Sequence, residues 1–335
     1  LIAKFILIIP CMFISIFSLL IVPIFQNQYL LIIFTLFISI FNGFTPLWYF
    51  QGIQKIYPFA LLKILIRVLS IIPVFIIVRS PSDFTIVLLF QCISSFLTCT
   101  ISLFWVLKKN KFTFVSFRKI IRSLVKGWHT FSLSIAPPLC SLIALFWLST
   151  KLSIDSIGLL NSADRIFKAL ISLFGPIGQA IYPFLIAQLS INRLKAINQT
   201  KKALYLYTFI SLVMSVPIFI FAEQLVVWFL GKSFIGSVII LKLFVVSVPL
   251  IKISHILGRQ WMLSIHLDKI VNIAVIISSI VFLISVLFFY KYYKILSLPI
   301  SVLISEIFLL IYYLIYLQFK KIGFWNKNID IKLLE

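Results

Sequence analysis

The sequence predicts an all-α protein, a polytopic bundle of about ten transmembrane helices, and three observations carry that prediction. Hydrophobic residues make up 62% of the 335 and charged residues only 11%. The mean hydropathy is +1.17, a balance that no soluble domain of this length could keep off its surface. The apolar residues form continuous runs near the roughly 20 residues a spanning helix needs, not the alternating segments of about 10 that build a barrel. Finally, the basic residues sort by loop. With loops taken alternately, 19 fall on one side and 5 on the other, which places residue 1 and the carboxyl tail in the cytoplasm.

Taken in order, spans are expected at 5–22, 29–49, 59–78 and 84–107, then at 129–149, 157–189, 203–222, 237–257, 270–290 and 298–317. The basic segment 108–128 divides the first four from the last six, and 318–335 is a cytoplasmic tail. Pro10, Pro73, Pro137, Pro138, Pro176, Pro217 and Pro249 fall inside spans, where each removes a backbone hydrogen bond and can kink its helix. The sixth span is too long for the bilayer core and is interrupted by GPIGQAIYP at 175–183, a pattern common to helices that bend during transport and to static membrane helices alike.

A formal charge of +22 first suggests nucleic acid as the partner, but the loop placement of the Lys and Arg excludes it. Within 108–128, Phe117, Ile120, Ile121, Leu124 and Val125 recur at helical spacing with Arg118, Arg122 and Lys126 on the other side. That pattern describes an amphipathic helix on the anionic inner leaflet, or a charged topology anchor with no further role. Cys11, Cys92, Cys99 and Cys140 sit in apolar segments and read as small buried hydrophobes. His129, His255 and His266 lie near span boundaries and form no metal or catalytic cluster with them, so neither metal nor cofactor is expected.

Six basic residues remain inside the spans: Lys63, Arg67, Arg165, Lys168, Lys242 and Lys252. The sixth span carries a polar stripe, Asn161, Asp164, Arg165, Lys168, Ser172, Gly175, Gln179 and Tyr182, within an arc of about 100° around the helix. If lipid-facing, Arg67, Asp164, Arg165, Lys168 and Glu306 would together cost on the order of 15 kcal/mol, so a wet or paired interior is expected. Asp164 and Lys168 stand at i,i+4 and can pair with each other. Arg165 and Arg67 have no evident local partner, and a guanidinium fork suits phosphate oxygens. Lys63, Lys242 and Lys252 read as snorkelling toward a span end. Glu306 is the lone carboxylate on its helix, either a proton-linked coupling group or a counter-ion to the deep arginines.

The segments PLWYFQGIQK at 46–55, followed by a helix bearing Arg67, and IGLLNSADRIFKALISLFGPIGQAIYP at 157–183 carry a resemblance. The chain resembles the O-antigen-type polysaccharide flippases (Wzx) of the multidrug and oligosaccharidyl-lipid exporter superfamily. That resemblance implies two six-helix lobes, with 1–107 a partial amino-terminal lobe of four helices, 108–128 a linker, 129–317 a complete second lobe, and about two helices missing at the start. It implies export of an undecaprenyl-diphosphate-linked oligosaccharide across the bacterial inner membrane by alternating access, without enzymatic chemistry. Membrane lipids, a proton or sodium gradient and polysaccharide-assembly proteins are the further partners it implies. The expected substrate pathway comprises Arg67, Asn161, Asp164, Arg165, Lys168 and Gln179, with Glu306 as a coupling residue. Two alternatives stay open: a drug or cation antiporter of the same superfamily, which would favour a carboxylate-rich cavity, and a polytopic polymerase or glycosyltransferase, which would need a larger outer loop than the sequence offers.

Overall fold

The computed structural model describes residues 29–53, 56–80, 83–110, 116–175 and 193–320, together with scattered residues of 4–13 and 178–189. All its regular elements are helical. In chain order they are α1 (Tyr29–Phe44), the short α2 (Leu47–Gly52), α3 (Ile56–Ile77), α4 (Phe84–Lys109), α5 (Phe117–Ser149), α6 (Ile154–Ser172), α7 (Arg193–Ile220), the short α8 (Ala222–Leu230), α9 (Ser237–His255), α10 (Asp268–Tyr293) and α11 (Ser297–Phe319). Six stretches among the described residues are long and apolar enough to cross a membrane, the last of them, Asp268–Phe319, comprising both α10 and α11.

Three of the ten expected spans fall partly outside the described residues. The expected span 5–22 lies mostly outside the described residues. In α5 the apolar stretch is Ser134–Ser149, and the side chains at 128–130, 132 and 133 are not among those described. Helix α6 ends at Ser172, most of the remainder of the expected span 157–189 lies outside the described residues, and the charges on its polar face make it no plain apolar span. One correction matters for function. The expected loop at 258–269 starts late: α9 continues without a break as a π-helix over Ile256–Met262. The polar run Gly258-Arg259-Gln260 ends the hydropathy signal, yet these residues turn inward rather than to water.

The chain forms two compact units, residues 1–126 and 127–335. In the first, α4 packs against both α1 and α3. Phe41 meets Phe96 edge-on with ring centroids 5.2 Å apart, and Phe50 stacks on Phe59 at 5.0 Å. Helix α3 leaves Leu65, Leu69, Phe75 and Ile76 exposed, as expected of a surface facing acyl chains. Beyond its carboxyl-terminal end the Asp83 carboxylate accepts the backbone N–H groups of Arg79 at 3.1 Å and Ser80 at 3.0 Å. Those bonds favour the ionised form and hold the carboxyl below its usual range.

The second unit is built around α9, which packs against α6, α7 and α11, while α11 also packs along α10. Phe167 of α6 stacks on Phe244 of α9 at 4.7 Å, over a core of Leu160, Ala163, Ile240, Leu241 and Val248. Lipid tails are as apolar as leucine, so helix association in a bilayer rests on close packing and interhelical hydrogen bonds. The α10–α11 contact shows both. Ser278, Ser279, Ser285, Ser301 and Ser305 are buried, and the Ser278 hydroxyl donates to the Ser305 carbonyl at 3.0 Å. Gly258 has the same use, since a Cβ there would stand 2.6 Å from the Tyr313 ring. Ser153 caps α6, accepting the Ser156 N–H at 3.3 Å, and Asp155 in its first turn suits the helix dipole.

Candidate functional site

Each unit holds one polar recess among its described residues, and their chemistry differs. In the first unit a groove of about 690 Å³ runs between α1, α3 and α4. One wall is α3, which presents Lys63 and Arg67 one helical turn apart. The other carries neutral hydrogen-bonding groups: Asn42 and Thr45 at the end of α1, and Ser94, Ser95 and Thr98 along α4. Thr45 and Thr98 return their hydroxyls to the carbonyls of Phe41 and Ser94, both at 2.8 Å. None of the residues lining the groove is acidic. Two cations at membrane depth therefore face a polar recess with no fixed counter-charge, an arrangement suited to an anion.

In the second unit a partly open cavity of about 270 Å³ is lined by α5, α6, α9, α10 and α11. Its polar lining includes Asp164, Lys168, Ser254, His255, Arg259, Glu306 and Tyr313. Here the charges answer one another. The Lys168 ammonium donates to the Asp164 carboxylate at 2.5 Å, realising the i,i+4 pair expected from spacing. Glu306 accepts the Ser254 hydroxyl at 2.8 Å, and both Arg259 and Lys252 lie within electrostatic reach of it.

Lys252 does not snorkel. It is 2% exposed, its ammonium donates to the Ile171 carbonyl at 3.3 Å, and it sits 4.5 Å from the centroid of the Phe174 ring. The reason is the π-helical continuation of α9, which leaves Lys252 about ten residues from a helix end, beyond snorkelling reach. His255 is likewise not an isolated boundary histidine but lines the cavity with Glu306. Lys252, His255 and Arg259 recur at i, i+3 and i+7, within about 60° of one helical face. That spacing was the available signal, and a loop expected from residue 258 onward concealed it. No group of His, Cys, Asp and Glu among the described residues has the geometry of a metal site.

Of the pathway residues expected from sequence, Arg67 lines the groove and Asp164, Lys168 and Glu306 line the cavity. Asn161 and Arg165 are exposed on α6 and line neither recess. Gln179 and Tyr182 lie outside the described residues. Across the GPIG break, Gln260 of the π-helix donates its amide to the Gly178 carbonyl at 3.1 Å.

The apolar spans, the serine-packed helices and the two polar recesses define a multi-pass membrane protein. Its fold is shared with solved transporters. The inward closed lipid II flippase MurJ superposes with a TM-score of 0.68 at 17% identity over 86% of this chain and 61% of that one. An outward-facing multidrug resistance MATE transporter of the MOP superfamily gives 0.65 at 16% identity over 98% and 78%. The profile of the polysaccharide biosynthesis protein family matches residues 1–190, and the chain belongs to that family. Two relatives each carry the name "Putative O-antigen transporter". The one from Escherichia coli strain K12 is 33% identical over 232 residues, 68% of this chain and 55% of that protein. The one from Shigella dysenteriae is 27% identical over 242 residues, 71% of this chain and 60% of that protein. The chain thus spans little more than half the length of these relatives.

Proposed function

We propose that this chain belongs to a flippase that carries a lipid-linked anionic oligosaccharide, an undecaprenyl-diphosphate-linked repeat unit, across the bacterial inner membrane by alternating access. The observation that carries the reading is the groove of the first unit, where Lys63 and Arg67 face hydroxyl and amide groups with no acid among the lining residues. A diphosphate needs cations that are not already neutralised, and the neutral wall can hydrogen-bond sugar hydroxyls. The names of the two relatives support the same cargo class. A cation antiporter would need carboxylates where the groove has none.

In this mechanism Arg67 and Lys63 hold the phosphate region while the glycan crosses through water, and the stripe of Asn161, Asp164, Arg165, Lys168 and Gln179 adds polar surface to the pathway. Glu306, set among Ser254, Lys252 and Arg259, is the group that links transport to a proton or sodium gradient. The carboxyl tail lies in the cytoplasm, and polysaccharide-assembly proteins receive the product outside. The test is complementation in a bacterium lacking its own O-antigen flippase, using the full-length protein with surface polysaccharide blotted as the readout. Restored ladders are expected. Membrane insertion without ladders, in a host supplying the matched glycan, would contradict the reading.

A further inference from the structure

The first turns of α5 belong to neither recess, and their surface is divided into three sectors. Ile120, 8% exposed, and the half-buried Leu124 turn toward protein. Phe117, Ile121 and Val125, at 63%, 45% and 66% exposure, form an uncovered apolar stripe at i, i+4 and i+8. Arg118, Lys119 and Arg122 are exposed as well. At 100° per residue the stripe spans about 80° and the basic arc about 100° immediately beside it. The same helix carries an apolar stretch over Ser134–Ser149, carboxyl-terminal to this surface.

Neither bulk water nor the acyl core accommodates both sectors. Water leaves three large apolar side chains uncovered, and the core penalises three cations. The boundary between them suits both, with the stripe at the level of the upper acyl carbons and the basic arc among headgroups. A neutral headgroup layer would satisfy the stripe alone. Segment 108–128 holds seven basic residues and no acid, which calls for negative charge opposite. We propose that Phe117–Val125 is a docking surface for anionic phospholipid headgroups, with Arg118 and Arg122 as the headgroup contacts and Phe117, Ile121 and Val125 as the apolar insertion. The inference is independent of what the protein carries.

The test uses the chain reconstituted in nanodiscs of phosphatidylcholine alone or with about one-third phosphatidylglycerol, and reads backbone hydrogen exchange over 117–125 by mass spectrometry. Each basic residue near an anionic surface strengthens association about fivefold. Exchange is therefore expected to slow by about tenfold or more in the anionic discs, to lose that slowing in 1 M salt, and to lose most of it in R118Q/R122Q, which keeps only Lys119 of the basic arc. Peptides of α10 and α11 report the fold and should not change. If the double variant does not fold, the salt series on the unaltered chain makes the same decision. Equal exchange in the two lipids would overturn the proposal. So would protection already complete in neutral discs, which would mean that protein covers the stripe, or a response to phosphatidylglycerol undiminished in R118Q/R122Q.

Discussion

The groove of the first unit and the cavity of the second both hold charge at membrane depth, but only the groove leaves its charge unanswered. Lys63 and Arg67 face neutral groups, whereas the cavity sets Lys168 on Asp164 and surrounds Glu306 with Ser254, Arg259 and Lys252. A cation held by a fixed carboxylate has little attraction left for a passing anion, while one facing an open polar recess keeps it. The contrast extends to packing. A Cβ at Gly43 in the first unit would meet nothing within 4 Å, whereas one at Gly258 in the second would collide with the Tyr313 ring. The close approach at Gly258 is a local feature of the helix contact between α11 and the π-helical end of α9.

The largest effect should come from the unanswered charge. In the full-length protein, Arg67→Ala is expected to lower surface polysaccharide by about 30-fold or more at equal membrane abundance, the usual cost of removing a charged anchor from its ligand. Arg67→Lys should retain a good part of the activity, since the cation survives and only the fork is lost. The answered charges should instead show in stability. Lys252→Met removes an ammonium from the Ile171 carbonyl and from the field of Glu306, and should cost on the order of 2 kcal/mol in detergent unfolding. Pairing it with Glu306→Gln should cost less than the two changes summed, because the second substitution removes the charge that the first leaves uncompensated.

Packing gives the next contrast. Gly258→Ala should destabilise by about 1–3 kcal/mol, because a Cβ there would stand 2.6 Å from the buried Tyr313 ring, which must shift to admit it. Gly43→Ala should be neutral or stabilise by up to about 1 kcal/mol. Matched thermal melts would settle both, and equal costs at the two glycines would break the contrast in packing. The smallest effect belongs to Lys168→Gln. The lysine side chain is 61% exposed, so its pair with Asp164 contributes no more than about 0.5 kcal/mol. Transport should fall less than it does in Arg67→Ala.

What the sequence reveals follows from how local each signal is. Continuous apolar runs reveal the helical membrane class, and the spacing of Asp164 and Lys168 reveals their pair, because both depend on neighbours along one helix. The groove needs α1, α3 and α4 side by side, so Asn42, Thr45, Ser94, Ser95 and Thr98 looked like unremarkable small polar residues. The α9 side of the cavity was hidden for another reason. Gly258, Arg259 and Gln260 resemble a loop when hydropathy alone is read, but the π-helix buries Gln260 against the Gly178 carbonyl and aims Arg259 into the cavity. Once the helix is cut short there, Lys252 and His255 seem to stand near its end, and their common face goes unseen.

The division of labour between the two recesses is tested most directly by the affinity of the full-length protein in nanodiscs for an undecaprenyl-diphosphate-linked oligosaccharide, compared among the unaltered protein, Arg67→Ala and Glu306→Gln. The account predicts a loss of about 30-fold or more for Arg67→Ala and an affinity within about twofold of the unaltered protein for Glu306→Gln, since the groove alone would hold the phosphates. Full affinity in Arg67→Ala, with the loss appearing instead in Glu306→Gln, would contradict it and move the binding site to the second unit.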